Sequence, residues 1–216
     1  MSGTLRSSLA EFAGTFALVW LAASAACLGG PGSLGAALAY GLAFGMLVYA
    51  FGCADAHFNP ALTVALCLTR RIDIARGLLL VFSQLLGAGL AGLFLLRSLH
   101  GQAAAGICAL HGIGFRMGTL IEAMATFWVV FVYCSARLDA PDRSGGAAIA
   151  AAAVCACLAT AALTGGAFNP ARSFGPALAL GRWSDWYVYW AGPLVGAALA
   201  AQLYERLFVA KAREKP

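Results

Sequence analysis

The sequence predicts an all-helical membrane protein, from its composition and from the spacing of its apolar segments. Of the 216 residues, 62% are hydrophobic and only 11% are charged. Soluble domains usually carry about 25% charged residues, so most of this surface cannot face water. Long uncharged runs recur along the chain without the alternation of polar and apolar residues that membrane β-barrels show. A helical bundle is therefore the predicted class.

The same composition excludes several other kinds of protein. The shortage of charge excludes a disordered chain, and the absence of a basic run excludes a nucleic-acid binder. The seven cysteines are an odd number with no Cys-x-x-Cys pair, and His100 and His111 lack the spacing of metal ligands. We therefore expect no disulfide framework, no metal, no cofactor and no nucleic-acid partner.

Six segments are long enough to cross a membrane. The first follows Arg6 like a signal peptide, but it contains Glu11, has no clear cleavage site and is long enough to span, so we interpret it as a retained helix. The run Gly29-Gly30-Pro31-Gly32 separates it from the second span. The predicted spans are residues 8–28, 34–53, 75–97, 117–136, 146–164 and 186–209.

Two further apolar segments, Asn59–Thr69 and Asn169–Leu180, are too short to span. At a rise of 1.5 Å per residue each reaches roughly 17 Å, about half of a 30 Å hydrocarbon core. A helix that begins at mid-membrane must line an enclosed or watery cavity, because its first N–H groups have no partner in lipid. Pro60 and Pro170 suit the first helical position, which places an asparagine at each N-cap.

The two halves of the chain resemble each other. The motif Glu11-Phe-Ala-Gly-Thr-Phe16 matches Glu122-Ala-Met-Ala-Thr-Phe127, and Phe58-Asn-Pro-Ala61 matches Phe168-Asn-Pro-Ala171. We interpret this as a duplication, with repeats at approximately 5–100 and 116–210 inside one transmembrane domain, 1–216. Three full spans per repeat invert the second copy, so the two half-helices should meet head to head near mid-membrane.

The basic residues predict the orientation. Ten Lys and Arg residues fall on one side of a six-span arrangement and four on the other, so we expect both termini in the cytoplasm. The ten are Arg6, Arg70, Arg71, Arg76, Arg137, Arg143, Arg206, Lys211, Arg213 and Lys215, and the four are Arg97, Arg116, Arg172 and Arg182. The compact, Ala-rich chain shows no organelle address, which favours a bacterial plasma membrane.

These motifs resemble those of the aquaporin (major intrinsic protein) family over essentially the whole chain. They are Ala10-Glu-Phe-Ala-Gly-Thr-Phe16, His57-Phe-Asn-Pro-Ala-Leu-Thr63, Thr164-Gly-Gly-Ala-Phe-Asn-Pro-Ala-Arg-Ser-Phe-Gly-Pro-Ala177 and Tyr189-Trp-Ala-Gly-Pro193. The resemblance implies an hourglass fold, a homotetramer with one pore per subunit, and passive flow of water or small uncharged solutes. The physics agrees, because an ion would lose its hydration and meet two positive helix ends and a buried arginine.

The resemblance also implies a selectivity filter made of Tyr40, Cys157, Gly166 and Arg172. The strictly water-selective pattern has Phe, His and a larger loop residue alongside Arg, so this filter departs from it. Tyr40 contributes a hydroxyl that either narrows the pore or donates to a solute, and Cys157 and Gly166 leave more room. We expect a water channel, with a channel for ammonia, hydrogen peroxide or urea as the alternative. Glycerol is less expected, because Ser173 stands where the family's glycerol channels have Asp.

Four other polar residues leave alternatives open. Glu11 and Glu122 are either a proton relay or, as the resemblance implies, scaffold acids that accept hydrogen bonds from the loops before the half-helices. His57 either lines the cytoplasmic vestibule or caps loop backbone. Asp55 stands where the family usually has a small residue, and it is either a solvated vestibule carboxylate or a pH- or cation-sensitive gate.

Three other classes of protein compete with a channel. An intramembrane enzyme needs a nucleophile with a positioned base, and no Ser–His pairing is suggested, so we expect no enzyme. A junction-forming membrane protein would not need two intact Asn-Pro-Ala motifs and a filter arginine. A coupled transporter needs a midplane ion site, for which only Glu11 and Glu122 are candidates.

Overall fold

The computed structural model describes residues 3–30, 32–52, 54–139 and 145–209. Its helices are α1 (Gly3–Gly29), α2 (Leu34–Ala50), α3 (Pro60–Leu68), α4 (Ile74–Leu99), α5 (Phe115–Cys134), α6 (Gly145–Thr164), α7 (Pro170–Leu180) and α8 (Val188–Tyr204). A 3₁₀ segment, His100–Gly106, follows α4, and single π-helical turns, Ser135–Asp139 and Glu205–Val209, follow α5 and α8. The described residues contain no β-strand, so the predicted all-helical class is confirmed.

The six predicted spans correspond to the six longer helices, with shifted ends. Helix α1 begins at Gly3 rather than residue 8, and α2 ends at Ala50 rather than 53. Four helices, α1, α4, α5 and α6, are long and apolar enough to cross a membrane by length and composition. Helices α2 and α8 have 17 residues each, about 26 Å of rise, the lower end of the spanning range.

Some predicted features lie outside the described residues. These are Pro31 in the first break, Cys53 at the end of the second span, and four of the charges used for orientation, Arg143, Lys211, Arg213 and Lys215.

The two predicted half-spans are short helices, of 9 residues in α3 and 11 in α7. Helix α1 packs on α4 and α5 packs on α8, while α3 packs on α8 and α7 packs on α4. Each half-helix therefore rests against the last helix of the other half. This exchange has the two-fold pattern that the predicted inverted repeat requires, and the duplication itself stays a prediction.

Small residues set how closely the helices approach. A Cβ atom at Gly87 of α4 would collide with the Phe12 carbonyl of α1, and one at Gly196 of α8 would collide with the Ala123 carbonyl of α5. Backbones that approach this closely favour helix association in lipid, where burial of apolar side chains gives no advantage. The outer surface carries large exposed apolar side chains, such as Leu42, Leu90 and Trp128, as a lipid-facing surface should.

Candidate functional site

The two half-helices begin with matching caps. Asn59 Oδ1 accepts a hydrogen bond from the Ala61 N–H, and Asn169 Oδ1 accepts one from the Ala171 N–H, each at 2.9 Å. A proline follows each asparagine at the first helical position, where its missing N–H costs nothing. Both caps therefore form as the sequence predicts, and the Asn-Pro-Ala tripeptides are helix starts rather than isolated turns.

The two caps also bind each other's loops. Asn59 Nδ2 donates to the Phe168 carbonyl at 3.0 Å, and Asn169 Nδ2 donates to the Phe58 carbonyl at 2.8 Å. Both phenylalanines adopt positive φ, at 50° for Phe58 and 32° for Phe168, which turns their carbonyls toward the opposite asparagine. The half-helices therefore meet head to head at their positive N-terminal ends. Each side-chain amide has two N–H groups, and this contact uses one of them.

A fully buried carboxylate holds the second loop. Glu122 accepts hydrogen bonds from the Phe168 N–H at 2.6 Å, the Ala167 N–H at 3.2 Å and the Thr164 hydroxyl at 2.6 Å. Backbone N–H groups in a turning loop have no helical partner, and a charged acceptor compensates their burial better than a neutral one. The carboxylate thus fixes the backbone that leads into α7.

Glu11 makes the corresponding contacts in the first half. It accepts from the N–H groups of His57 at 2.6 Å and Phe58 at 2.7 Å, and from Gln84 Nε2 at 2.7 Å. Like Glu122, it is 0% exposed. Each acid therefore accepts hydrogen bonds from the backbone of the loop that leads into one half-helix.

The four predicted filter residues line one cavity. Tyr40, Cys157, Gly166 and Arg172 come from α2, α6, the loop before α7 and α7 itself, and they meet around a space of about 20 Å³. A cavity of this size holds roughly one water molecule. The sequence motifs therefore identify residues that are far apart in the chain and close in space.

Arg172 is the charged wall of this cavity. Its side chain is 4% exposed, and Nη1 donates to the Gly106 carbonyl at 2.7 Å. Sequence reasoning missed Gly106 and also Ile107, whose side chain lines the cavity. Neither a backbone carbonyl nor an isoleucine in the segment between α4 and α5 forms a motif by which it could have been found.

The Tyr40 hydroxyl donates its hydrogen bond to the protein itself. The hydroxyl donates to the Ala167 carbonyl at 3.1 Å, and the ring stacks on Phe168 with centroids 4.7 Å apart. Of the two roles expected for this hydroxyl, narrowing agrees with these contacts and donation to a solute does not. Only the lone pairs of the hydroxyl oxygen remain for a molecule in the cavity.

Asp55 lies in the loop before α3, and its surroundings differ from the solvated position that was one of its two expected roles. Its carboxylate lies 2.7 Å from Arg76 Nη2 of α4, and its side chain is only 14% exposed, so it is not a solvated carboxylate. Arg76 also donates to the Ser7 hydroxyl of α1 at 3.1 Å. The Tyr133 hydroxyl of α5 donates to the Asp55 carbonyl at 3.1 Å. Asp55 therefore connects the loop to α4 through its side chain and to α5 through its carbonyl, and Arg76 extends the contact to α1.

His57 is buried, at 3% exposure, and its Nδ1 lies 3.1 Å from the Thr63 hydroxyl. Within the described part of the chain the ring contacts the side chains of Thr63, Glu11 and Tyr133. These contacts do not agree with capping of loop backbone, one of the two expected roles.

Known proteins are similar to this chain in sequence and in fold. The sequence profile described as Major intrinsic protein matches residues 1–204. The chain is 40% identical to Aquaporin TIP4-1 of Zea mays, over 99% of this chain and 90% of that protein. It is 36% identical to Probable aquaporin TIP3-2 of Arabidopsis thaliana, over 99% of this chain and 87% of that one.

A mammalian relative and a solved structure extend the comparison. Aquaporin-4 of Bos taurus is 38% identical, over 79% of this chain and 55% of that protein. The aquaglyceroporin from Plasmodium falciparum superposes with a TM-score of 0.80 at 21% identity, covering 98% of this chain and 100% of that one. At that identity the likeness shows the fold alone.

The relatives named here come from plants and a mammal, so they give no support to the expected bacterial plasma membrane, although a location within a membrane stands. The head-to-head half-helices, the cavity beside Arg172 and the match across most of the sequence agree on one assignment. The chain belongs to the major intrinsic protein family, the aquaporins, whose members are passive membrane channels rather than enzymes.

Proposed function

We propose that the protein conducts water passively and excludes ions and protons. The observation that carries this proposal is the cavity of about 20 Å³ lined by Tyr40, Cys157, Gly166 and Arg172. Water fits a space of this size in single file, and the polar atoms around it replace part of the hydrogen bonding that water leaves behind. Both Asn-Pro-Ala caps lie further along the same proposed path.

Ion exclusion follows from the charge and burial of Arg172. A cation about 5 Å from a guanidinium meets a repulsion of about 3 kcal/mol at an effective dielectric constant of about 20. An anion avoids this repulsion but still loses its hydration in a space too small to keep it. A neutral molecule that forms hydrogen bonds has neither barrier.

Proton exclusion is assigned to the two asparagines. Each has one side-chain N–H left after its contact with the opposite loop, and both lie at the positive ends of half-helices. A water molecule there accepts hydrogen bonds through its oxygen, so its lone pairs are occupied. A chain of waters then cannot pass a proton through that position.

The alternative is a channel for several small neutral solutes. The small side chain of Cys157 favours it, because it leaves space in the filter that a larger residue would fill. Gly166 adds no side chain, and its φ of 59° together with Ala161 Cα, 3.2 Å from an ideal Cβ, favours glycine at that position. Ammonia, hydrogen peroxide and urea are the candidate solutes, and glycerol is the least expected. The exclusion of ions by Arg172 is the same in both proposals.

The assembly and orientation of the protein are further proposals. We infer a homotetramer in a lipid bilayer with both termini in the cytoplasm, one pore per subunit and one transmembrane domain built from two repeats. Two apolar grooves on the outer surface, of about 540 and 480 Å³, offer places where neighbouring subunits or lipid chains pack.

Water conduction is tested with the purified protein in liposomes. We expect shrinkage after an osmotic shock to be faster than in empty liposomes, without saturation and with no change when ion gradients are abolished. A rate equal to that of empty liposomes, or one that requires an ion gradient, would rule out a passive water channel.

Cys157 predicts block by mercurial reagents. Its thiol lines a cavity that holds roughly one water molecule, so a bulky adduct should remove most of the water permeability. The Cys157→Ser variant should conduct water and resist the reagent. Cys155 is exposed on the other side of α6, so Cys155→Ser should stay sensitive. Equal sensitivity of wild type and Cys157→Ser would place the thiol outside the path.

We propose that Asp55 is a tether for the first loop rather than a gate. Its ion pair with Arg76 is partly exposed, at 14% for Asp55 and 37% for Arg76, so it should contribute only about 0.5–1 kcal/mol. We expect Asp55→Asn to lower the thermal unfolding midpoint by about 1–4 °C and to leave the pH profile of water permeability unchanged. A pH dependence that disappears in Asp55→Asn would support the gate instead.

A further inference from the structure

Tyr189 of α8 has a buried hydroxyl that the proposed function does not use. The side chain is 2% exposed, and no atom of the described residues lies within hydrogen-bonding geometry of its Oη. Buried hydroxyls are nearly always hydrogen-bonded, because an unpaired one costs about 1–3 kcal/mol. The hydroxyl therefore points to a binding partner other than the protein itself.

Tyr189 lines a second small cavity, separate from the filter. Its walls come from the loop before α5, from α7, from the loop after α7 and from α8, and they include Cys108, Ser173 and Arg182. The Ser173 hydroxyl already donates its proton to the Pro170 carbonyl at 3.0 Å. Its lone pairs remain, so Ser173 is an acceptor here while the Tyr189 hydroxyl is a free donor.

The size of this cavity decides what it can hold. It measures about 10 Å³, at the lower limit for a single water molecule, and anything larger would not fit. We propose that it binds one water molecule, which accepts a hydrogen bond from Tyr189 Oη and donates one to Ser173 Oγ. This is a permanent binding site in the second half of the protein rather than a step on the permeation path.

The place of this site links it to the filter. Ile107 lines both cavities, whereas Tyr40, Cys157, Gly166 and Arg172 line only the filter cavity. Ser173 directly follows Arg172 in the first turn of α7. The water therefore sits behind the filter and joins α8 to the turn that carries the filter arginine. The site is independent of which neutral solute the channel passes, because none of the four filter residues lines this cavity.

A high-resolution structure of the full-length protein and of Tyr189→Phe tests the site directly. We expect density for one water within about 2.5–3.0 Å of Tyr189 Oη in the wild type and its loss in the variant. A wild-type map without density at that position would overturn the proposal.

Thermal unfolding gives an independent test. If water satisfies the hydroxyl, Tyr189→Phe should lower the unfolding midpoint by about 2–4 °C. The exposed Tyr187 is the matched control, and Tyr187→Phe should change the midpoint by less than about 1 °C. The effects of Tyr189→Phe and Ser173→Ala should be less than additive in the double variant, because both remove the same water. An unchanged or higher midpoint in Tyr189→Phe would show that the hydroxyl is unpaired and that no water is bound.

Discussion

Replacing Arg172 with alanine should raise cation permeability by about a hundredfold. The guanidinium is buried beside the narrow cavity, and the repulsion of about 3 kcal/mol that it imposes corresponds to roughly that factor in rate. The same change removes the side chain that limits the cavity on one side, so urea permeability should rise too. Water flow should persist, because water does not depend on the arginine charge to pass.

A matched variant distinguishes the effect of the Arg172 charge on permeability from the effect of its size. Arg172→Lys keeps a positive charge, so it should keep most of the cation exclusion even though it loses the guanidinium geometry. Arg116→Ala, which removes an exposed arginine, should behave as the wild type. Ion flux into liposomes, measured beside water flux, gives the comparison. Cation permeability that stays low in Arg172→Ala while water flow continues would contradict the assignment of exclusion to this residue.

Replacing Glu122 with glutamine should strongly destabilise the protein. Three donors converge on the carboxylate, two of them at 2.6 Å, and the amide group of glutamine would present a donor to at least one of them. The lost charged hydrogen bond and the unpaired buried donor together cost about 3–5 kcal/mol. For a chain of this size we expect the unfolding midpoint to fall by about 6 °C or more.

This result separates a scaffold acid from a proton relay. Glu11→Gln should have a similar effect, because Glu11 accepts from two backbone N–H groups and Gln84. Glu205 is the control, since its partly exposed pair with Arg71 should be worth less than about 1 kcal/mol. A Glu122→Gln protein of wild-type stability in which only the dependence of transport on pH is lost would support a relay and contradict the scaffold.

Local chemistry made the central part of the site predictable. An asparagine followed by proline at the start of a short apolar segment predicts a capped half-helix, and Asn59 and Asn169 both form that cap. The scaffold role of Glu11 and Glu122 came from the resemblance to a family, with a proton relay as the alternative. The four filter positions came from the resemblance to a family, since no local pattern marks Tyr40 or Cys157 as neighbours of Arg172.

The features that could not be predicted depend on contacts between distant parts of the chain. The Tyr40 hydroxyl bonds to a carbonyl 127 residues away, and a hydroxyl carries no sign of its partner in the sequence. Arg172 is held by the Gly106 carbonyl, and any residue could supply a carbonyl at that place. A solvated carboxylate was one of the two roles expected for Asp55, and the sequence gives no sign of its partner Arg76, which lies on α4, 21 residues further along.

The ends of the helices also differ from the predictions for a physical reason. Hydropathy locates the apolar part of a helix, but α1 extends five residues beyond it through a polar N-terminal segment. Helix α8 changes from an α-helix to a π-helical turn at Glu205, where its side chain pairs with Arg71. An apolar pattern does not report such polar ends of a helix.

The most direct test of the account compares four fluxes in one preparation of liposomes that contain the purified protein. Water, urea, glycerol and protons would each be driven by a matched gradient, with empty liposomes as the background. The account predicts fast water flow, little glycerol flow and proton flow no higher than the background. Urea flow that rivals water would favour the multi-solute alternative. Proton flow that rises together with water flow would contradict the proposed function, because the paired asparagines and Arg172 could then not be the barrier that we propose.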